Sequence, residues 1–164
     1  MRKALLTISI ILLFSSLFAA STYKDAVKLF KEKKYQESLK VVASLLVVDN
    51  DMQPGSPDYK LRYLAAHLHW KLGNEKSVQA HFRRCMEIKK DTTDPYVDLA
   101  LFLLERRNNA QAMQLALQAR KIKQAPMVYF VLGQVYLGYQ NYWRAKMMFE
   151  KANSLNPELY VSYN

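Results

Sequence analysis

The sequence predicts an all-α protein built as a row of helical hairpins. From residue 22 onward, small and apolar residues recur three and four positions apart, which is the spacing of one helix face. Short polar turns interrupt this pattern, and the whole pattern returns about every 34 residues. A single hairpin cannot bury its apolar face, whereas a stack of hairpins can. The repeat therefore predicts an elongated stack with a continuous core.

The clearest unit runs from Pro126 to Pro157, and its recurring positions are Tyr129, Leu132, Gly133, Tyr136, Ala145, Phe149 and Ala152. The corresponding positions one repeat earlier are Tyr96, Leu99, Ala100, Leu103, Ala112, Ala116 and Ala119. A further repeat toward the N-terminus reaches Ala66, Phe82, Cys85 and Ile88. The first unit, with Ala26, Tyr35, Val42, Leu45 and Val48, is offset by more than one repeat, because six extra residues in the segment 49–57 predict a longer loop.

A short polar turn divides each unit into two helices. The turns are Lys33-Lys34, Gly73-Asn74, Arg107-Asn108-Asn109 and Gln140-Asn141. We therefore predict hairpins over residues 22–48, 58–90, 94–123 and 126–155, within one domain over residues 21–164. Small residues at Ala66, Ala100 and Gly133 would let the paired helices approach closely.

These positions resemble the signature of the tetratricopeptide repeat family over about residues 22–159. The fourth unit matches most fully, with Tyr129 in place of the usual Trp and with the closing Pro157. The third unit lacks the glycine and the closing proline, and the first two units depart further. The resemblance implies a right-handed superhelix of about four hairpins, an α-solenoid whose first helices line a concave groove for a partner's peptide or helix.

By register, the resemblance places one apolar and aromatic row in that groove. The predicted lining is Tyr23, Val27, Phe30, Tyr63, His67, Trp70, Val97, Leu101, Leu104, Phe130, Gln134 and Leu137. Exposed apolar surfaces of this kind tend to bind partners. Some members of the family hold a C-terminal carboxylate with paired Lys and Asn on successive first helices. Other residue types occupy those places here, so that mode of recognition is not expected.

The first twenty residues have the layout of a secretory signal peptide. Arg2 and Lys3 precede an uncharged apolar run over residues 4–20, and small residues follow it. Cleavage after Ser21 fits better than cleavage after Ala20, because it places the small residue Ala19, instead of Phe18, three positions before the cut. The alternative is an uncleaved anchor, since the run is near the lower limit for crossing a bilayer. Either outcome places the chain in the periplasm or elsewhere in the cell envelope.

The chain is basic, with 24 Lys and Arg against 14 Asp and Glu and a formal charge of +10. This charge favours an anionic partner, such as an acidic protein, phospholipid head groups or a cell-wall polymer. Nucleic acid is not expected if the chain is exported. The basic residues crowd the first three hairpins, where a solvated face and a docking surface both account for them.

Nothing in the sequence indicates catalysis, a metal or a cofactor. The three histidines are His67, His69 and His81, and residues two apart on a helix point to different faces. Cys85 is the single cysteine and occupies a small-residue packing position, which predicts a buried thiol. No Gly-rich phosphate loop or Ser-His-Asp pattern is present. We therefore predict a protein that is not an enzyme.

The sequence as a whole predicts an exported scaffold that binds a partner protein in its concave groove. Two alternatives remain: a membrane-tethered protein whose basic face docks anionic lipid or wall polymer, and an accessory subunit of an exported enzyme. Residues 158–164 could close the last hairpin as a lid, or that hairpin could pair with a second molecule and allow self-association.

Overall fold

The computed structural model describes residues 22–48 and 58–159, which form α-helices and one 3-10 turn, with no strand among them. The helices are α1 Tyr23–Lys31, α2 Tyr35–Val48, α3 Asp58–Lys71, α4 Glu75–Ile88, α5 Asp94–Glu105, α6 Asn109–Ile122, α7 Pro126–Gly138 and α8 Tyr142–Leu155, and the turn is Pro157–Leu159. The predicted signal segment, the loop 49–57 and the tail 160–164 lie outside the described residues. No helix in the described part has the length and apolar character needed to cross a bilayer.

The helices pair in sequence order as four hairpins, each joined by a turn of the same construction. The last residue of every turn returns its backbone N–H to a carbonyl five residues earlier, at 2.8–2.9 Å; the donors are Lys34, Asn74, Asn108 and Asn141. The residue before each donor has a left-handed φ, from 57° to 77°. This is the common way in which a helix ends on a left-handed residue. The four turns are therefore structurally equivalent.

Side-chain caps fix where several helices begin. Thr22 and Asp25 form a capping box at the start of α1, with each side chain bonded to the other residue's backbone N–H. The Asn108 side chain accepts from the backbone N–H of Gln111, and Asn141 accepts from Arg144. Such caps satisfy backbone donors that the first turn of a helix leaves free. Asn108 and Asn141 thus both end a turn and cap the helix that follows it.

The hairpins stack in order, so that each second helix packs on the next first helix. First helices also contact each other directly, α1 with α3 and α5 with α7, whereas second helices make no comparable contact within the described residues. The side formed by first helices is therefore the shorter, inner side of the stack. This arrangement confirms the predicted fold class, an all-α solenoid of helical hairpins.

The hydrophobic core extends along the stack of hairpins instead of forming a single central cluster. Ala26, Val42 and Leu68 are fully buried between the first two hairpins, and a larger cluster runs from α3 to α8. The small residues Ala66, Ala100 and Gly133 are all buried in it. At Gly133 an added Cβ would collide with the ring of Phe149. That contact explains why the fourth hairpin needs glycine in the middle of α7.

Candidate functional site

The centre of the inner surface is a row of three rings on α3. Tyr63, His67 and Trp70 are spaced four and three apart and therefore share one face of the helix. Ring centroids are 4.8 Å apart between Tyr63 and His67, and 5.9 Å apart between His67 and Trp70. Phe82 of α4 lies behind all three rings, with centroids at 5.3–6.5 Å. We call these three residues the aromatic row; each remains partly exposed.

Two carboxylates on the neighbouring helix α5 hold the row in place. The Tyr63 hydroxyl donates to Oδ2 of Asp98, and Nε2 of His67 lies 3.1 Å from the same oxygen. The indole N–H of Trp70 donates to Oε2 of Glu105 at 2.8 Å. Burial raises the pKa of Tyr63 well above its usual range, with the Asp98 charge adding to the effect. The phenol therefore stays protonated and remains a donor.

Sequence reasoning missed both carboxylates. Asp98, Leu101 and Glu105 are spaced three and four apart, so they share one face of α5, and that spacing was the available signal. Their partners lie 31 to 35 residues earlier in the chain, which no local pattern reveals. Leu101, predicted to line the groove, is partly exposed on this same face.

The groove continues toward the fourth hairpin as a cleft with both polar and apolar side chains in its wall. A cavity of about 410 Å³ is lined by Leu104, Arg107, Asn109, Gln134, Leu137 and Gly138. Gln134 is partly exposed, and Leu137 is 39% exposed. The side chain of Asn109 donates to the carbonyl oxygen of Gly138 at 2.8 Å and joins the two hairpins at the end of the cleft. This part of the surface can receive apolar side chains.

At the first hairpin the same surface is basic. Tyr23, which is 36% exposed, and Val27, which is partly exposed, line a cavity of about 460 Å³. Lys24, Lys28, Lys31 and Glu32 complete its wall. Phe30 is partly buried and packs toward Tyr35, with ring centroids 5.6 Å apart. Along the stack, the inner surface therefore changes from a cleft walled by lysines to the aromatic row and then to a cleft of mixed polar and apolar lining.

Two predicted groove residues require correction, because their side chains are buried. Val97 is 4% exposed and Phe130 is 9% exposed, and both belong to the main core cluster. Phe130 packs against Phe149 with ring centroids 5.6 Å apart. A first helix packs on its own second helix and also on neighbouring hairpins, so its buried face is wider than the register suggested. The expectation that these two side chains line an accessible groove was wrong.

A candidate metal site is absent from the part of the chain that the structure describes. The described residues hold no group of three or more His, Cys, Asp or Glu side chains able to bind a metal ion. Burial raises the pKa of Cys85 to about 12, and its side chain is fully buried, as the sequence predicted. His69 and His81 stack with ring centroids 5.4 Å apart, and His67 joins the aromatic row instead.

The fourth hairpin also exposes large apolar side chains. Among the described residues, most exposed large apolar side chains lie there: Leu137, Tyr139, Tyr142, Trp143, Met147 and Leu155. A cleft of about 720 Å³ opens along α8, with Phe149 and Ala145 in its wall. Self-association through this hairpin stays a prediction. Light scattering at micromolar concentration decides it, since a mass of two chains supports it and a mass of one chain contradicts it.

The family model for the tetratricopeptide repeat matches two segments of the chain, residues 59–92 and 128–159. These segments correspond to the α3–α4 hairpin and to α7–α8 with the turn that follows. A search of the curated proteins finds no match.

Solved structures give a second comparison. A crystal structure of MamA is similar with a TM-score of 0.69 and 16% identity, covering 85% of this chain and 78% of that one. Another structure of MamA gives 0.68 and 15%, covering 86% and 74%. At these identities the likeness shows the fold alone. It agrees with an all-α solenoid that carries tetratricopeptide repeats.

Proposed function

We propose that the chain is a non-catalytic scaffold of the cell envelope that holds a segment of a partner protein in its concave groove. Tetratricopeptide repeats and the solenoid fold support a role in protein–protein interaction. The observation that carries the proposal is the aromatic row, which is partly exposed on the inner surface and fixed by Asp98 and Glu105.

The fixed rings make the surface suited to binding. Binding ordinarily costs free energy for each side chain that must be immobilised. Tyr63 and Trp70 already have their polar atoms bonded within the chain, so their rings need little further ordering. Tyr and Trp are also the residues that most often dominate interface energies. The preferred partner segment is therefore an amphipathic helix or an extended peptide that presents apolar side chains.

The cell-envelope location rests on the sequence of residues 1–21. In the structure, α1 begins with the capping box of Thr22 and Asp25. Cleavage after Ala20 or after Ser21 would leave that box intact. The mass of the chain recovered from its native cell tests this part of the proposal. A chain that begins at Ser21 or Thr22 and lies in the envelope fraction supports export, and an intact chain in the cytoplasm contradicts it.

The groove is tested with two matched leucines of the fourth hairpin. Leu137 is 39% exposed and lies between the groove cleft and the cleft along α8, while Leu155 is 43% exposed at the end of α8. We expect Leu137→Asp to abolish capture of the partner from envelope extract. Leu155→Asp introduces the same charge at similar exposure and should capture the partner as the parent chain does. Equal capture by both variants would contradict the groove, and circular dichroism checks that both remain helical.

A further inference from the structure

The four hairpin turns lie along one edge of the stack. Each turn reverses the chain between antiparallel helices, and the hairpins stack in the same orientation. Two contacts join neighbouring turns directly: Arg106 donates to the Glu75 carboxylate, and Asn109 donates to the carbonyl oxygen of Gly138. We call this surface the turn edge. It comprises residues 32–34, 72–74, 106–108 and 139–141 with the residues that flank them.

The turn edge is basic. Within two residues of the turns lie seven cations, namely Lys31, Lys33, Lys34, Lys71, Lys76, Arg106 and Arg107. The same span holds three carboxylates, Glu32, Glu75 and Glu105, so its net charge is +4. Lys34 pairs with Glu32, and Arg106 pairs with the other two. The other five cations have no ion-pair partner among residues 22–48 and 58–159, and all five are exposed.

The opposite edge differs in what surrounds its cations. Lys89 and Lys90, between the second and third hairpins, are balanced by the nearby Asp91 and Asp94. The next loop carries Lys121 and Lys123, but no exposed aromatic side chain lies beside them in the described part of the sequence. The turn edge therefore differs from the opposite edge, since it combines unpaired cations with the exposed rings described below.

Two of the turn-edge cations occupy strained backbone positions. Lys33 and Arg107 have φ of 60° and 57°, where a Cβ is unfavourable and glycine is preferred. Gly73 shows the ordinary solution at the equivalent position of the second hairpin, with φ of 77°. Gln140 has φ of 58° at the equivalent position of the fourth hairpin and carries no charge, so the conformation belongs to the shared turn. Lys33 and Arg107 each add an exposed positive charge to the turn edge.

The turn of the fourth hairpin adds aromatic side chains to the same edge. Tyr139 is 49% exposed, and Tyr142 and Trp143 are each 69% exposed. Arg144 follows them, with its guanidinium 5.7 Å from the centre of the Tyr136 ring. Tyr and Trp favour the boundary between lipid head groups and acyl chains, because one end of each ring is polar and the rest apolar.

We propose that the turn edge docks the protein on an anionic phospholipid surface. The unpaired cations would face the lipid phosphates, and the three exposed rings would enter the head-group region at one end. An acidic protein would also satisfy the cations, but aromatic side chains that bind a protein cluster near the centre of the interface, whereas Tyr139, Tyr142 and Trp143 all lie at one end of the turn edge.

Arg107 and Leu137 belong both to the turn edge and to the groove cleft, whereas Tyr63 and His67 lie in the middle of α3, away from the turns. A docked chain would therefore keep the central part of the groove free for a partner segment. The inference thus goes beyond the proposed scaffold role.

The experiment measures co-sedimentation of the full chain with phosphatidylcholine vesicles and with mixed phosphatidylcholine–phosphatidylglycerol vesicles. The readout is the increase in binding caused by the anionic lipid. Apolar insertion of residues 4–20 would contribute to binding on both kinds of vesicle, so it does not enter this difference. The test variant is Lys33→Gly/Arg107→Gly. The matched control is Lys121→Gln/Lys123→Gln, which removes two exposed charges from the opposite edge.

Loss of two surface-facing cations should weaken the anionic-lipid increment about 25-fold, since each such charge contributes about fivefold. The control should stay within about twofold of the parent chain, because salt screens charges on the edge that faces away from the lipid. Because glycine relieves the left-handed strain, the test variant should melt no lower than the parent, so unfolding cannot explain its loss. Equal loss in both variants would overturn the proposal, as would equal binding to both kinds of vesicle.

Two further arms separate the lipid from other anions. The fluorescence of Trp143 should shift to shorter wavelength on mixed vesicles, and the Trp143→Phe variant, which keeps Trp70, should lose the shift. Soluble polyglutamate supplies the same charge without a bilayer. If polyglutamate binds with the same dependence on Lys33 and Arg107 while vesicles do not bind, the edge recognises an acidic protein and the lipid proposal fails.

Discussion

The Tyr63 hydroxyl and the Asp98 carboxylate form a hydrogen bond that ties the first helix of the second hairpin to that of the third. The bond spans 35 residues of sequence and lies on the inner surface of the stack. His67 contacts the same carboxylate oxygen at 3.1 Å. One acidic side chain therefore fixes two rings of the aromatic row and sets the distance between two hairpins.

This network predicts a measurable coupling between Tyr63 and Asp98. Tyr63→Phe should cost about 1 kcal/mol of unfolding free energy, because it removes one donor and keeps the ring. Asp98→Leu should cost about 1–3 kcal/mol, because it leaves the phenol and the imidazole without their acceptor. Urea unfolding of both variants and of the double variant gives the coupling, which we expect to exceed about 0.5 kcal/mol. Strictly additive effects would show that the bond is absent in solution.

Gly133 predicts an unusual response to alanine. Alanine normally stabilises a helix interior by about 1 kcal/mol relative to glycine. Here the added methyl group would collide with the Phe149 ring, so Gly133→Ala should destabilise by about 1–3 kcal/mol. In a Phe149→Leu background the same change should stabilise, because the ring is gone. Thermal melts of the four chains test both signs, and a stabilising Gly133→Ala in the parent would refute the close contact.

The stacked histidines predict that stability falls in acid. Burial, aided by the nearby His69, lowers the pKa of His81 to about 4, and burial also lowers the pKa of His69. The unfolded chain binds these protons at about pH 6.5, before the folded chain does. The free energy of unfolding should therefore decrease as pH falls from about 6.5 to about 4. The total loss should be on the order of 1–2 kcal/mol, discounted for solvent access.

The matched variant for this prediction is His81→Phe, which keeps a flat ring against His69 but cannot titrate. Its unfolding free energy, measured in urea across the same pH range, should change less than that of the parent. Parallel pH profiles for the two chains would mean that other groups cause the acid effect.

The burial of Cys85 predicts that its thiol reacts slowly with thiol reagents in the folded protein. Its side chain is fully buried and burial raises its pKa to about 12, so almost no thiolate exists at neutral pH. A thiol reagent should label the native chain only as fast as it opens, and denaturant should bring immediate labelling. Rapid stoichiometric labelling of the native chain would contradict the buried position on α4.

The fold could be predicted because its signals are local. Apolar positions three and four apart and polar turns mark the helices, and the turn residues Gly73 and Asn141 stand where the chain reverses. Details at helix ends were less secure. Thr93, and not the Asp94 that precedes Pro95, occupies the cap position of α5, and Asp94 is the first helical residue. The second unit looked degenerate, yet the family model matches it and passes over the third.

The site was harder to predict because it depends on contacts between hairpins. Residues 128–133 are all buried, so α7 has no apolar stripe from which an exposed row could be identified. That is why Phe130 was placed on the surface. From the local sequence alone, acidic residues such as Asp98 and Glu105 are expected to face solvent. Their role becomes visible only through their distant partners, Tyr63 and Trp70.

The most direct test of the scaffold is to locate the partner on the surface of the chain. A photo-reactive amino acid would replace Gln134, which lies in the groove cleft, or Gln118, which lies on α6 in a separate cleft. After irradiation in envelope extract, we expect one cross-linked partner from position 134 and none from position 118. Cross-linking from position 118 alone, or equally from both, would contradict a partner held in the concave groove.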